Sequence, residues 1–264
     1  MKTIDLDSLE NSNGVYYQGN EPFTGIVENK YENGNIKYKE NYKDGKRHGE
    51  SVGYYNDGQV MWQRNWKYGK EHGEWAGYYE DGQMQYKKNY KDGKRHGETV
   101  VYYENGNNKY KENYKNGKLH GVATGYYESG NLMWKENWND GKEHGEWVGY
   151  FENGQIWKRY TWNDGDPCGE AVKYYKNGQM QNKENYKNGK LHGETVVYYE
   201  NGNIKYKENY KDGKRHGESV GYYANGQVKW KQNFKDGKEH GKWVGYFENG
   251  QIKRIEHWRD GERC

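Results

Sequence analysis

No apolar run in this 264-residue chain approaches the length of about 18 residues that a membrane-spanning helix needs. The opening, MKTIDLDSLENSNG, lacks the basic stretch, apolar stretch and cleavage signature of a secretory leader. The chain as given is therefore expected in the cytoplasm, or at the cell envelope or surface if a signal peptide has been removed. Charge of one sign is missing too: 42 Lys and Arg stand against 39 Asp and Glu, interleaved, for a formal net charge of +3. No strong field draws such a chain to nucleic acid or to anionic lipid, and no nucleic-acid partner is expected. With 31% hydrophobic residues and a mean hydropathy of −1.56, the composition resembles that of a disordered chain. Thirty tyrosines and eleven tryptophans argue otherwise. Large rings that tolerate water at one end suit an ordered but thin structure without a deep core.

What is present is a strict repeat. His-Gly begins at His48, His72, His96, His120, His144, His192, His216 and His240, each number a multiple of 24, and Cys168 and Cys264 fill the same place. Asn-Gly or a relative keeps the same step, from Asn33 and Asp57 through Ser129 to Asn249. A fixed period of this length means a solenoid, propeller or array.

Positions are numbered from the Gly of His-Gly, so that Gly97 is position 1 and His120 is position 24. Positions 2–8 (ETVVYYE) are rich in β-branched and aromatic residues and positions 11–19 (NNKYKENYK) alternate, with Asn-Gly between them. This spacing predicts a β-hairpin with a type I′ turn at Asn-Gly. The other joint, NGKLHG at Asn116–Gly121, is long enough to reverse the chain again. The expected fold is all-β: an elongated single-layer antiparallel β-meander of about ten 24-residue hairpin repeats, residues 25–264, preceded by an N-terminal cap at residues 1–24. In a straight sheet Cys168 and Cys264 would lie roughly 40 Å apart, which excludes an internal disulfide. At the far end, QIKRIEHW reads as an edge strand whose Lys253 and Arg254 discourage pairing with another molecule.

A two-residue turn makes position 7 face 12, position 5 face 14 and position 3 face 16. Trp62, Trp134 and Trp230 at position 14 then face Gly53, Gly125 and Gly221, whereas Tyr110 and Tyr206 face Val101 and Val197. A large ring over a glycine fills the missing side chain's space and shields the backbone, as in aromatic rescue. Lys158 and Arg254, facing Gly149 and Gly245, must do something else. One face is thus expected to carry the rings at positions 7 and 14, the aliphatic residue at 12, and Trp75, Trp147 and Trp243 at position 3. The other is expected to carry Val at 4, Tyr at 6 and mostly Lys at 13 and 15, a basic, amphipathic cover. Three-unit blocks recur, the one from Gly97 matching the one from Gly193, as segmental duplication would leave them.

The pattern Tyr/Trp-x-x-Gly-Lys-x-His-Gly, as in YKDGKRHG at Tyr42, Tyr90 and Tyr210, resembles the MORN repeat. YENGNIKYKENYKDGKRHGE together with the opening NGVYY and PFTG is similar to its bacterial variant, the YwqK-type antitoxin-like proteins. The likeness covers about residues 14–264. It departs from the usual pattern at position 3, where Ser, Thr, Trp or Ala replaces a glycine. The resemblance implies a β-meander used for contacts with proteins or, in some members, lipids. A lipid-kinase label could be inherited from relatives by mistake, since nothing outside the repeats remains to be a kinase.

Individual residue types point to little chemistry. Histidines in adjacent copies are about 9–10 Å apart, too far to share a zinc ion, and are expected to close the turn by packing on the aromatic at position 18 and hydrogen-bonding backbone. Carboxylates recur at positions 2, 8, 16 and 20, read as turn and strand-edge sites, whereas catalysis needs one shielded constellation. No phosphate-binding loop or catalytic triad stands out, and no cofactor, metal or enzymatic activity is expected. The aromatic face is the candidate binding surface: Trp62, Trp134 and Trp230 first, with Tyr86, Tyr110, Tyr206, Trp75, Trp147 and Trp243. The expected function is a non-catalytic scaffold for protein–protein interaction, with an antitoxin- or immunity-like role as one form. The alternative is envelope-associated binding of lipid headgroups or glycans.

Overall fold

The structure, a computed structural model, describes residues 2–264 and divides into two compact units at Gly130 and Asn131. From Gly25 on, the long strands within each unit pair antiparallel with their neighbours in chain order. The repeat at Gly97 shows the plan: a strand at Gly97–Tyr102, a partner at Asn108–Lys115, and a short Lys118–Leu119 segment that leads into Gly121–Tyr126 of the following copy. Apart from one short 3-10 turn at Leu6–Ser8, the regular structure among the described residues is strand.

The type I′ turn exists, but at the other joint. Asn116 and Gly117 have φ of 52° and 85°, and the same pair of left-handed residues recurs at position 20 and the glycine after it. The Asn-Gly of positions 9 and 10 instead closes a three-residue loop. Tyr103 N–H donates to Asn107 O and Gly106 N–H to Tyr103 O, and of Asn105 and Gly106 only the glycine has positive φ. The Asn105 side chain accepts from the Asn107 N–H at 3.0 Å, an Asx arrangement that holds the asparagine out of the left-handed region.

That longer loop is followed by a bulge, and the two irregularities offset each other. Val101 faces Tyr110 and Thr99 faces Glu112, as the expected register requires, but Tyr102 rather than Tyr103 faces Asn108. A slip of one residue exchanges faces. Position 13 therefore joins the aromatic face, where the Lys109 ammonium lies 5.5 Å from the Tyr103 ring centroid. Position 12 moves to the opposite face: Ile204 lines a groove there with Tyr198, Tyr222 and Lys207. The expectation that put Lys at 13 on the lysine face and the aliphatic residue at 12 beside the rings is corrected accordingly.

Burial follows from thinness. Small residues in mid-strand are covered by long neighbours on both faces: Ser51, Thr99 and Ser219 at position 3 on one side, Val100, Val148 and Val196 at position 4 on the other. The lysines at position 15 lie over the valine side and pair with glutamates at position 2, as Lys87 does with Glu74 at 2.6 Å and Lys207 with Glu194 at 3.6 Å. That face is salt-bridged rather than purely basic. Asparagine at position 17 bonds across to the next copy's first strand, Asn89 Nδ2 donating to Glu98 O and Asn209 Nδ2 to Glu218 O.

At the start of the chain, Thr3–Ile4 pairs parallel with Gly25–Lys30, and Glu10–Ser12, Val15–Gln18 and Glu21–Pro22 form a small separate sheet. Phe23, Val27 and Tyr42 form a buried cluster with Ile4, Leu6, Leu9 and Tyr16 against it. Cys168 and Cys264 are free thiols.

Candidate functional site: the aromatic face

The position-14 rings of Trp62, Trp230, Tyr86, Tyr110 and Tyr206 each lie between two residues at position 5, one from their own copy and one from the next. Trp62 faces Gly53 and Gly77, Trp230 faces Gly221 and Gly245, Tyr86 faces Gly77 and Val101, Tyr110 faces Val101 and Gly125, and Tyr206 faces Val197 and Gly221. Trp134 faces Gly149. The covering is close: a Cβ on Gly53 would overlap the Trp62 indole, and one on Gly221 the Trp230 indole. Gly149 is covered by Trp157 and Trp147, and Gly245 by Trp243. The glycines therefore seat rings even where position 14 is Lys158 or Arg254.

The position-3 tryptophans gather the larger clusters. Trp75 lies 5.0 Å from Trp66 and 4.8 Å from Tyr90, and its indole N–H donates to Asn65 O. Trp147 meets Trp157 edge-on at 6.0 Å and Tyr160 at 6.1 Å. Trp62 and Trp75 are brought together by Arg64, whose guanidinium lies 4.4 and 4.8 Å from the two ring centroids. Trp230 and Trp243 share one groove with Tyr223, Lys229, Lys253 and Arg254, a space of about 370 Å³. All nine expected binding residues are half-buried, so the rings are both floor and surface.

Sequence reading missed the cations that sit on these rings. Lys158 lies 4.2 Å from Trp147 and 4.1 Å from Trp157, Arg254 4.5 Å from Trp243, and Lys88 4.1 Å from Tyr86. Burial pushes the Lys88 and Lys158 ammonium pKa values down, and nearby cations add to it: Arg95 and Arg64 beside the first, Lys173 beside the second. For Lys158 and Arg254 the signal available was a basic residue at position 14 opposite glycine, which has meaning only once the rings at 3 and 13 are known to share its face.

The glutamates at position 16 were also misread. Glu40, Glu208 and Glu256 are buried among the rings rather than exposed at strand edges. Glu208 accepts from the Tyr210 hydroxyl at 2.7 Å and pairs with Arg215 at 3.1 Å, and Glu40 does the same with Tyr42 and Arg47. Burial first, then the neighbouring Glu112, raises the Tyr114 pKa to about 12.

The expected hydrogen bond to backbone is made, the Tyr68 N–H donating to His48 Nδ1 at 3.4 Å and the Asp92 N–H to His72 Nδ1 at 3.5 Å, but the side-chain contacts run to position 20 rather than to the aromatic at position 18. His48 meets Tyr68 edge-on with ring centroids 4.6 Å apart, and His72, His144, His216 and His240 approach Asp92, Asp164, Asp236 and Asp260 at 3.4–3.5 Å, in each case position 20 of the following copy. The left-handed turn residue projects toward the preceding copy's histidine, which places the contact between copies rather than within one. Among the described residues, no group of three or more His, Cys, Asp or Glu is placed to hold a metal ion.

The sequence model of the MORN repeat variant matches residues 23–44, 71–92, 95–116, 119–142, 143–164, 167–188, 191–212, 215–236 and 239–260. No curated protein matches the chain. Among solved structures, a TcdB2-TccC3-Cdc42 complex is 13% identical over 88% of this chain and 15% of that one, with a TM-score of 0.20. A porin-like protein from Bacteroides uniformis is 10% identical over 90% of this chain and 91% of that one, with a TM-score of 0.19. At those scores neither likeness carries a functional argument.

Proposed function

The chain belongs to the MORN repeat variant family, whose repeats generally mediate protein or membrane binding, and from that membership we propose that it is a non-catalytic scaffold that binds a partner protein through its aromatic face. The observation that carries this reading is the composition of that face: half-buried Trp and Tyr with Arg seated on Trp62, Trp75 and Trp243, the residue types that dominate protein-binding hot spots. The opposite face offers lysines already paired with glutamates. An antitoxin- or immunity-like role is the specific form we propose, in which the partner is a toxin held by this surface.

The test is a pull-down from native lysate with three baits: the intact chain, a Trp62→Ala/Trp134→Ala/Trp230→Ala variant, and a Lys111→Ala/Lys207→Ala variant of the opposite face. Circular dichroism would establish that all three are folded. The reading expects one stoichiometric protein retained by the first and third baits and lost from the second. Equal loss from both variants, or greater loss from the lysine variant, overturns it.

A further inference from the structure

Position 13 is Lys in three successive copies, Lys205, Lys229 and Lys253. The bulge turns each onto the aromatic face, where its ammonium lies 5.7, 5.4 and 5.5 Å from the ring centroids of Tyr199, Tyr223 and Phe247. All three lysines are exposed. Repeats advance by two strands, so neighbouring ammonium groups in this row are spaced by about 9–10 Å. Between the second and third lies the groove floored by Trp230 and Trp243, and no carboxylate lines it.

We propose that this row is a docking strip for an acidic, extended segment of a partner protein that carries a carboxylate at every third residue. The proposal rests on the scaffold reading above and adds the chemistry of the partner. Charge complementarity selects the acidic class: three cations in line outside any ion pair, while the buried acids of these copies, Glu208 and Glu256, are held by Arg215 and by Arg254 and Arg263. Spacing selects the conformation. A polyproline II segment repeats its side-chain direction every three residues and advances about 9.3 Å in doing so, matching the lysine row. In a β-strand, residues three apart point to opposite faces. The two residues between carboxylates would then lie on the ring floor, where apolar groups, proline above all, pack against indole and phenol.

The test uses the full chain and a fluorescein-labelled peptide of three Glu-Pro-Pro units, compared with a peptide of the same composition whose glutamates are adjacent. Fluorescence anisotropy would be followed at low and at physiological salt. The spaced peptide is expected to bind, to weaken with salt, and to bind the Lys205→Gln/Lys229→Gln/Lys253→Gln variant about tenfold less well, the combined effect of three exposed pairs. Glutamine keeps most of the stem over the ring, and thermal melting would verify that the variant is folded. No binding, equal binding of the two peptides, or an unchanged affinity in the variant overturns the proposal. Binding of phosphatidylglycerol vesicles through the same lysines, with none of the peptide, also overturns it in favour of a membrane surface. A partner captured through the tryptophans while the spaced peptide fails would remove the strip and leave the scaffold reading intact.

Discussion

The Tyr55 hydroxyl donates a 2.7 Å hydrogen bond to the carbonyl oxygen of Tyr78, the residue at position 6 of the next copy. Tyr31, Tyr79, Tyr103, Tyr175, Tyr199 and Tyr223 make the same bond to Tyr54, Tyr102, Tyr126, Tyr198, Tyr222 and Tyr246. Each bond fastens one copy to the next, so stability in such an array is a sum of these interfaces. Tyr55→Phe and Tyr79→Phe are each expected to lower the unfolding free energy by about 0.5–1.5 kcal/mol. Phe151→Tyr, which aims a hydroxyl at the Tyr174 carbonyl, is expected to raise it by a similar amount. Urea denaturation of the three variants measures both directions.

Gly53 and Gly221 do not have positive φ, so their need for glycine is one of space. Alanine at either site drives a methyl group into Trp62 or Trp230. The indole must lift, at a cost of about 1–3 kcal/mol. A red shift of tryptophan emission should accompany the loss of stability. An unshifted spectrum with unchanged stability would mean that the ring does not rest there in solution.

Tyr68 is the exception among the left-handed turn residues, which are otherwise Asp or Asn, with φ of 48°. A tyrosine in this conformation is strained where Asp and Asn are tolerated, and the ring contact offsetting that strain is one edge-on approach to His48. Tyr68→Asp is expected to stabilise the protein by about 0.5–1 kcal/mol. Calorimetry should therefore show a higher melting temperature, and a lower one would mean that the ring contact outweighs the strain.

Removal of a buried carboxylate should be costly. Glu208→Ala leaves the Tyr210 hydroxyl and the Arg215 guanidinium without their acceptor, for an expected loss of about 2–3 kcal/mol. Glu200→Ala in the exposed turn before it is expected to change stability by under about 0.5 kcal/mol. Comparison of the two by chemical denaturation separates the buried position 16 from the turn.

Alkaline pH should destabilise the fold through its buried tyrosines. Burial raises the pKa values of Tyr42, Tyr114, Tyr186 and Tyr210, that of Tyr114 to about 12, while unfolded tyrosine ionises near 10. Between these values the unfolded chain releases protons that the native state retains, so stability falls as pH rises from about 10 to about 12. Stability measured across that range should decline less steeply in Tyr114→Phe than in the parent.

Hairpins, period and register were legible in the chain because each depends on local chemistry. Asn-Gly and Asp-Gly reverse the chain, alternation selects strands, and the Trp62 and Gly53 pairing reports its own register. The division of residues between faces was legible only in part. It depends on whether a loop has two residues or three, and Asn105 permits both.

The sequence by itself determined that this protein is a 24-residue β repeat with one ring-rich side, since periodicity and turn chemistry act within a few residues. Tertiary structure decided where the left-handed turn falls and, through the bulge that follows the loop, which of positions 12 and 13 joins the rings. It also decided that Glu208 is buried and that Lys229 sits on Tyr223. Those outcomes depend on contacts between neighbouring strands and copies, which a pattern read along one strand does not contain.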